Sequence, residues 1–236
     1  MKKNETAEVK EVPGAVALIT AEVIFLVVAS LVAISALVVL IRRIFIIRTT
    51  AFDENAFAAF GTLVTDTNNQ IAVIITFFGS YLFMVTAWLT LLGYLLFVRK
   101  SKRRFINTLI IALSNFGLMV GLKFFFNRPR PLIPLLFEAP GLSFPSGHAF
   151  MGTIFYGVLI SRVYRDVKVV WKKWLLIFIL LCFIILVGLS RVYLRVHYLS
   201  DVLAGFSFGT LSLIIFLFLI KRLEKFNAAK MEVLKK

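Results

Sequence analysis

Cysteine and histidine are nearly missing from this 236-residue chain: it has one cysteine, Cys182, and two histidines, His148 and His197. A lone cysteine excludes an internal disulfide and a thiolate zinc site. Cys182 lies in the run Leu180-Leu181-Cys182-Phe183, where it reads as a small lipid-buried or core residue rather than a reactive thiol. Acidic residues are also few, 12 against 27 Lys and Arg, which leaves a net charge of +15. Only 17% of the residues are charged, too few to cover the surface of a soluble domain of this size.

Apolar residues fill the space. They make up 60% of the chain, and the mean hydropathy is +0.93. That composition belongs to an integral membrane protein. The basic residues sit beside apolar segments, a pattern of membrane topology and anionic headgroups, so no nucleic-acid partner is expected. The chain reads as one all-α domain over 1–236, a bundle of six transmembrane helices. The spans are roughly Gly14–Ile41, Gln70–Val98, Phe105–Gly121, His148–Val163, Trp174–Leu189 and Leu199–Ile220. The polar stretch Met1 to Pro13 leads into an apolar run too long for a signal-peptide core, so the first span is expected to stay.

Lys and Arg set the orientation. With both termini cytoplasmic, 19 basic residues fall inside and 8 outside. Arg42, Arg43 and Arg48 are discordant, lying on the outer side beside the first span. The long outer loop Thr49 to Asn69 carries an apolar stripe of Phe52, Ala56, Phe57, Phe60, Leu63 and Val64, with Asp53 and Glu54 off it. A short interfacial helix and an ordinary packed loop fit it equally. Glu22, early in the first span, is expected to reach the cytoplasmic interface rather than act within the membrane.

Three clusters carry chemistry, and all fall on the expected outer side. The first is Lys123-Phe124-Phe125-Phe126-Asn127-Arg128-Pro129-Arg130-Pro131. Its prolines end the helix, and its cations can grip a phosphate or anchor a helix end. The second is Pro145-Ser146-Gly147-His148, opening the fourth span. A helix N-terminus there suits an anion, and Gly147 leaves room for close approach; a plain N-cap with a structural histidine fits the run equally. The third holds Ser190-Arg191, His197 and Asp201. His197 and Asp201 are spaced i, i+4, on one helical face, where a carboxylate can fix the imidazole tautomer. Arg191 would point about 240° away from His197 on one continuous helix, so a turn must return it. Lys123, Arg130 and Arg191 would repel a metal cation and attract a phosphoryl group.

Taken together, these runs resemble the type 2 phosphatidic acid phosphatase superfamily, membrane lipid phosphatases related to vanadium haloperoxidases. The matching pattern is Lys123 with Arg130-Pro131 after six residues, then Pro145-Ser146-Gly147-His148, then Ser190-Arg191, His197 and Asp201. The core bearing the motifs runs over 105–220. The resemblance implies a nucleophilic His197 that forms a phosphohistidine, Asp201 to orient it, and His148 as proton donor and then base. Lys123, Arg130, Ser146, Gly147 and Arg191 would hold the phosphoryl oxygens, with no metal or other cofactor. The substrate would be a membrane lipid phosphate or diphosphate, cleaved at the outer face of the cytoplasmic membrane. Undecaprenyl diphosphate, phosphatidylglycerol phosphate and phosphatidic acid all remain open. Arg128, Glu138 and Arg195 either tune headgroup choice or serve structure. A transporter or anion-binding protein built on the same basic pocket is the alternative from another class; a vanadate haloperoxidase shares the site but not the lipid-embedded chain.

Overall fold

The computed structural model describes residues 13–137 and 139–233, with side chains described over 23–137 and 139–223. The expectation for Glu138 therefore lies outside the described residues, and that for Glu22 outside the described side chains. Within them the elements are helical: α1 (Pro13–Ile41), α2 (Ala51–Gly61), α3 (Asp66–Phe77), α4 (Tyr81–Gly93), α5 (Lys102–Phe126), α6 (Gly147–Asp166), α7 (Val170–Tyr193) and α8 (Leu199–Val233). α1 and α4 run on as wider π-helical turns, Arg42–Ile47 and Tyr94–Val98.

Among the described residues, five helices are long and apolar enough to cross a membrane: Val23–Ile47, Tyr81–Val98, Lys102–Phe126, Val170–Tyr193 and Leu199–Leu223. The fourth expected span corresponds to α6, which is not among them. Its position explains its composition. α6 packs against α4, α5, α7 and α8, and Ala149, Phe150, Thr153, Ile154, Phe155, Tyr156 and Val158 are buried. A helix enclosed by its neighbours needs little lipid-facing apolar surface. Its contact with α8 is the most extensive in the fold. Close approach is possible because Gly205 has no side chain: a Cβ there would lie 2.8 Å from both Ala149 Cβ and the Ser146 carbonyl oxygen. Small residues at such crossings let two backbones touch where apolar burial cannot drive association.

The second expected span, Gln70–Val98, is corrected by the structure. It is broken into α3 and α4 at Phe78-Gly79-Ser80. Ser80 caps α4, its hydroxyl accepting from Phe83 N at 3.3 Å. The break also has a tertiary cause. The Tyr156 hydroxyl donates to the Phe78 carbonyl at 2.9 Å. A Cβ on Gly79 would lie 2.5 Å from Val187 and 2.8 Å from the His148 ring. Apolar content carried the expected span straight through this point, because periodicity does not register a turn buried in lipid-facing sequence.

The loop Thr49 to Asn69 is helical over α2, which packs on α7 and α8. Asp53, expected off the apolar stripe, is among its most buried residues at 3% exposure, beside buried Ala56. α2 thus faces protein, with a carboxylate pointing inward.

Candidate active site

α5, the 127–146 segment, α6 and the α7–α8 turn converge at one end of the bundle. α7 ends at Tyr193, and the chain then folds back so that the Arg191 carbonyl accepts from Val196 N at 3.1 Å and His197 N at 3.3 Å. This is the turn that the Arg191–His197 spacing required. α8 starts at Leu199, placing Asp201 in its first turn. Ser146 N donates to the Asp201 carbonyl at 3.0 Å, tying the start of α6 to the start of α8.

His197 is buried at 1% exposure, and its two ring nitrogens face different groups. Nδ1 lies 3.5 Å from Asp201 Oδ2 and 3.3 Å from Ser143 Oγ. Ser143 Oγ donates to Asp201 Oδ2 at 2.5 Å, so its own proton is committed and its lone pair faces Nδ1. Nε2 lies 3.1 Å from Arg130 Nη1. A guanidinium only donates, so Nε2 is the unprotonated nitrogen and Nδ1 carries the hydrogen. That tautomer is held by Ser143 and Asp201 together, a role for Ser143 beyond the direct carboxylate contact expected from spacing. Burial, then the charges of Arg130, Lys123 and Arg191, hold the His197 pKa well below its ordinary value. The ring is therefore a neutral imidazole with its lone pair toward the cations.

Arg130 faces that lone pair directly, and Lys123 and Arg191 act on the ring through their charge. Arg130 Nη1 also donates to the Val196 carbonyl at 2.8 Å, and Nε donates to the Gly141 carbonyl at 3.0 Å. Burial lowers the Arg130 pKa from its ordinary value while Asp201 opposes the shift. Lys123 Nζ donates to the Leu142 carbonyl at 2.6 Å. Arg191 is 4% exposed and donates through Nη1 to Thr76 Oγ1 of α3 at 2.6 Å. Among the described residues, Ser146 Oγ and Arg191 Nε are buried without a protein partner. Both donors are thus free for a phosphoryl oxygen. A Cβ on Gly147 would come no nearer than 3.8 Å to Lys123 Cε and Met119 Sδ, so packing does not demand glycine there. His148 lies in the electrostatic reach of Arg191, His197, Arg130 and Lys123.

All eight motif residues therefore meet in one place. Arg128, left open by sequence, turns away from that pocket. Its Nη1 lies 2.5 Å from Asp201 Oδ1 and its Nη2 lies 2.9 Å from Asp53 Oδ2. Sequence reasoning missed Asp53 and Ser143. A signal for Asp53 was present: it lies three residues before Ala56 and seven before Phe60, on the apolar face of α2.

A helical membrane fold that holds a buried imidazole against Arg130, within the field of Lys123 and Arg191 and near a helix N-terminus, suits phosphoryl transfer. Comparison with known proteins identifies the class. The sequence pattern of the PAP2 superfamily matches residues 104–225. Phosphatidylglycerophosphatase B of Bacillus subtilis (strain 168) is 31% identical over 144 residues, covering 61% of this chain and 70% of that protein. The crystal structure of the transmembrane PAP2 type phosphatidylglycerolphosphate phosphatase from Bacillus subtilis aligns at TM-score 0.71 and 27% identity, over 83% of this chain and 96% of that one. Aquifex aeolicus LpxE aligns at TM-score 0.55 and 27% identity, over 68% and 92%. The chain belongs to the PAP2 superfamily. It is a multi-pass membrane phosphatase, which sets aside the transporter alternative.

Proposed function

We propose that the protein hydrolyses a lipid phosphate monoester, with phosphatidylglycerol phosphate the first candidate, through a phosphohistidine on His197. The observation that carries the mechanism is the His197 geometry: Nδ1 held by Ser143 and Asp201, Nε2 facing Arg130 at 3.1 Å. The substrate class is supported by the names of the Bacillus subtilis relatives. Exposed Phe124, Phe125, Leu132 and Ile133 flank Lys123 and Arg130, which suits a substrate with an apolar tail and an anionic head.

The phosphoryl group would bind among Lys123, Arg130, Ser146, Gly147 and Arg191, drawing Arg130 off Nε2. The Nε2 lone pair attacks phosphorus, and the N–P bond forms as the bond to the lipid oxygen breaks. His148, protonated as the anionic phosphoryl group binds beside it, gives that proton to the oxygen, and the lipid leaves as an alcohol. His148 then takes a proton from water, whose oxygen attacks phosphorus. The N–P bond breaks, inorganic phosphate departs, and His197 returns to its starting tautomer. α6 serves as the sixth span, both termini lie in the cytoplasm, and the site faces the outer side of the cytoplasmic membrane.

The test is phosphate release by the purified protein in detergent with EDTA present, from phosphatidylglycerol phosphate, phosphatidic acid and undecaprenyl diphosphate in competition. Release from phosphatidylglycerol phosphate at the highest kcat/KM is expected, with His197→Ala inactive. Full activity in His197→Ala would overturn the mechanism. A preference for another of the three lipids would overturn the substrate assignment.

A further inference from the structure

A second carboxylate is buried behind the site on an element that carries none of the motifs. Asp53 of α2 is 3% exposed and makes three contacts to groups far along the chain. Its Oδ1 accepts from Ser200 N at 2.9 Å, and its Oδ2 accepts from Ser200 Oγ at 2.6 Å and Arg128 Nη2 at 2.9 Å. Ser200 N is one of the N-terminal amides of α8, which have no partner within their own helix. A carboxylate from another helix therefore caps α8 one residue before Asp201, with favourable charge against the helix dipole. Arg128 completes the link: Nη1 donates to Asp201 Oδ1 at 2.5 Å and to Ser200 Oγ at 2.8 Å. Its guanidinium lies 4.1 Å from the Tyr198 ring centroid, and Phe57 of α2 packs on that ring from 5.7 Å.

We infer that Asp53 is a positioning residue for the nucleophile, acting through Arg128 and the start of α8 to set Asp201, and through Asp201 to set His197. The inference rests on the phosphohistidine reading above. Arg128 alone would draw Asp201 away from His197 as a one-to-one ion pair. Asp53 shares the Arg128 charge, so Oδ2 of Asp201 stays committed to Ser143, Tyr198 N and the imidazole side. The brace also makes the seating of α2 a condition for a correctly aligned imidazole. Asp53 has no contact with the cations that face Nε2, so it does not bind the phosphoryl group.

Asp53→Asn keeps the shape and the acceptor for Ser200 N but removes the charge facing Arg128. The expected result is a loss of kcat of about 10- to 100-fold, the scale of a misplaced reacting group. KM for phosphatidylglycerol phosphate should stay within about two-fold, since Lys123, Arg130 and Arg191 are untouched. The His197 ring-nitrogen NMR shifts should change, although Asp53 does not touch the ring. Unchanged kcat, or lost kcat with unchanged ring shifts in a folded protein, would overturn the inference. If Asp53→Asn does not fold, Arg128→Lys decides: it keeps a cation but cannot hold Asp53 and Asp201 through two separate nitrogens, and is expected to lower kcat several-fold at constant KM, while wild-type kcat would overturn the brace. Wild-type protein that releases no phosphate from any lipid phosphate tested would instead remove the underlying mechanism.

Discussion

At the scale of single residues, the protonation of His197 decides what the site can do. Its burial and the surrounding Arg130, Lys123 and Arg191 lower its pKa, so the neutral ring persists as pH falls below the ordinary imidazole value of about 6.5. In a His148→Gln background, the His197 ring signals should titrate below pH 6.5. Arg130→Gln removes one of the opposing charges, so that titration should move to higher pH while KM rises. Titration at or above 6.5 before any change to Arg130 would contradict this account. The same lowered pKa links to stability: unfolded His197 takes up a proton near pH 6.5 and the folded ring does not, so its contribution falls as pH drops through that value. The two histidines are separable by phosphoenzyme trapping. His197→Ala should form none. His148→Gln should accumulate it from a substrate with an acidic leaving group, because attack by water then lacks its base.

At the scale of elements, the crossing of α6 and α8 places the second and third motifs together. Gly205 stands where a Cβ would meet the Ser146 carbonyl at 2.8 Å, and Ser146 is one of the proposed phosphate-binding residues. Gly205→Ala is expected to cost about 1–3 kcal/mol through overpacking, and to lower kcat/KM by moving Ser146. Gly117→Ala in α5 is the control, since a Cβ there meets nothing within 4 Å. It should leave activity intact and match or raise the melting temperature. A second element carries a similar lesson. Thr76, in the last turn of α3, accepts from Arg191 at 2.6 Å. Thr76→Val should leave that buried guanidinium short of a partner and raise KM more than it lowers kcat.

At the scale of the whole molecule, topology is open to a direct test because Cys182 is the single cysteine. In a Cys182→Ser background, Thr62→Cys at the end of α2 should react with an impermeant maleimide on intact cells. Ser101→Cys, between α4 and α5, should react only after permeabilisation. The reverse pattern would invert the proposed orientation. The apolar face is lipid-sized: Val23, Phe25, Leu31, Trp174 and Phe178 are among many large apolar side chains left exposed. An exposed band of this kind is what a bilayer covers.

Membrane residence, the helical class and the eight motif residues were legible in the sequence because each rests on local information. Hydropathy sums over adjacent residues, and the i, i+4 spacing of His197 and Asp201 needs one helix only. Even Arg191 was placed correctly once a turn was required of it. Three features needed the tertiary structure. The break at Gly79 exists because the His148 ring and Val187 occupy the space a side chain would need. α6 escapes the apolar criterion because its neighbours, not lipid, surround it. The Asp53–Arg128–Asp201 brace joins residues 75 and 73 positions apart, and Asp53 reaches Ser200 across 147. No periodicity relates groups at that separation. Their meeting depends on how α2 seats against α7 and α8, and only the packed fold decides that.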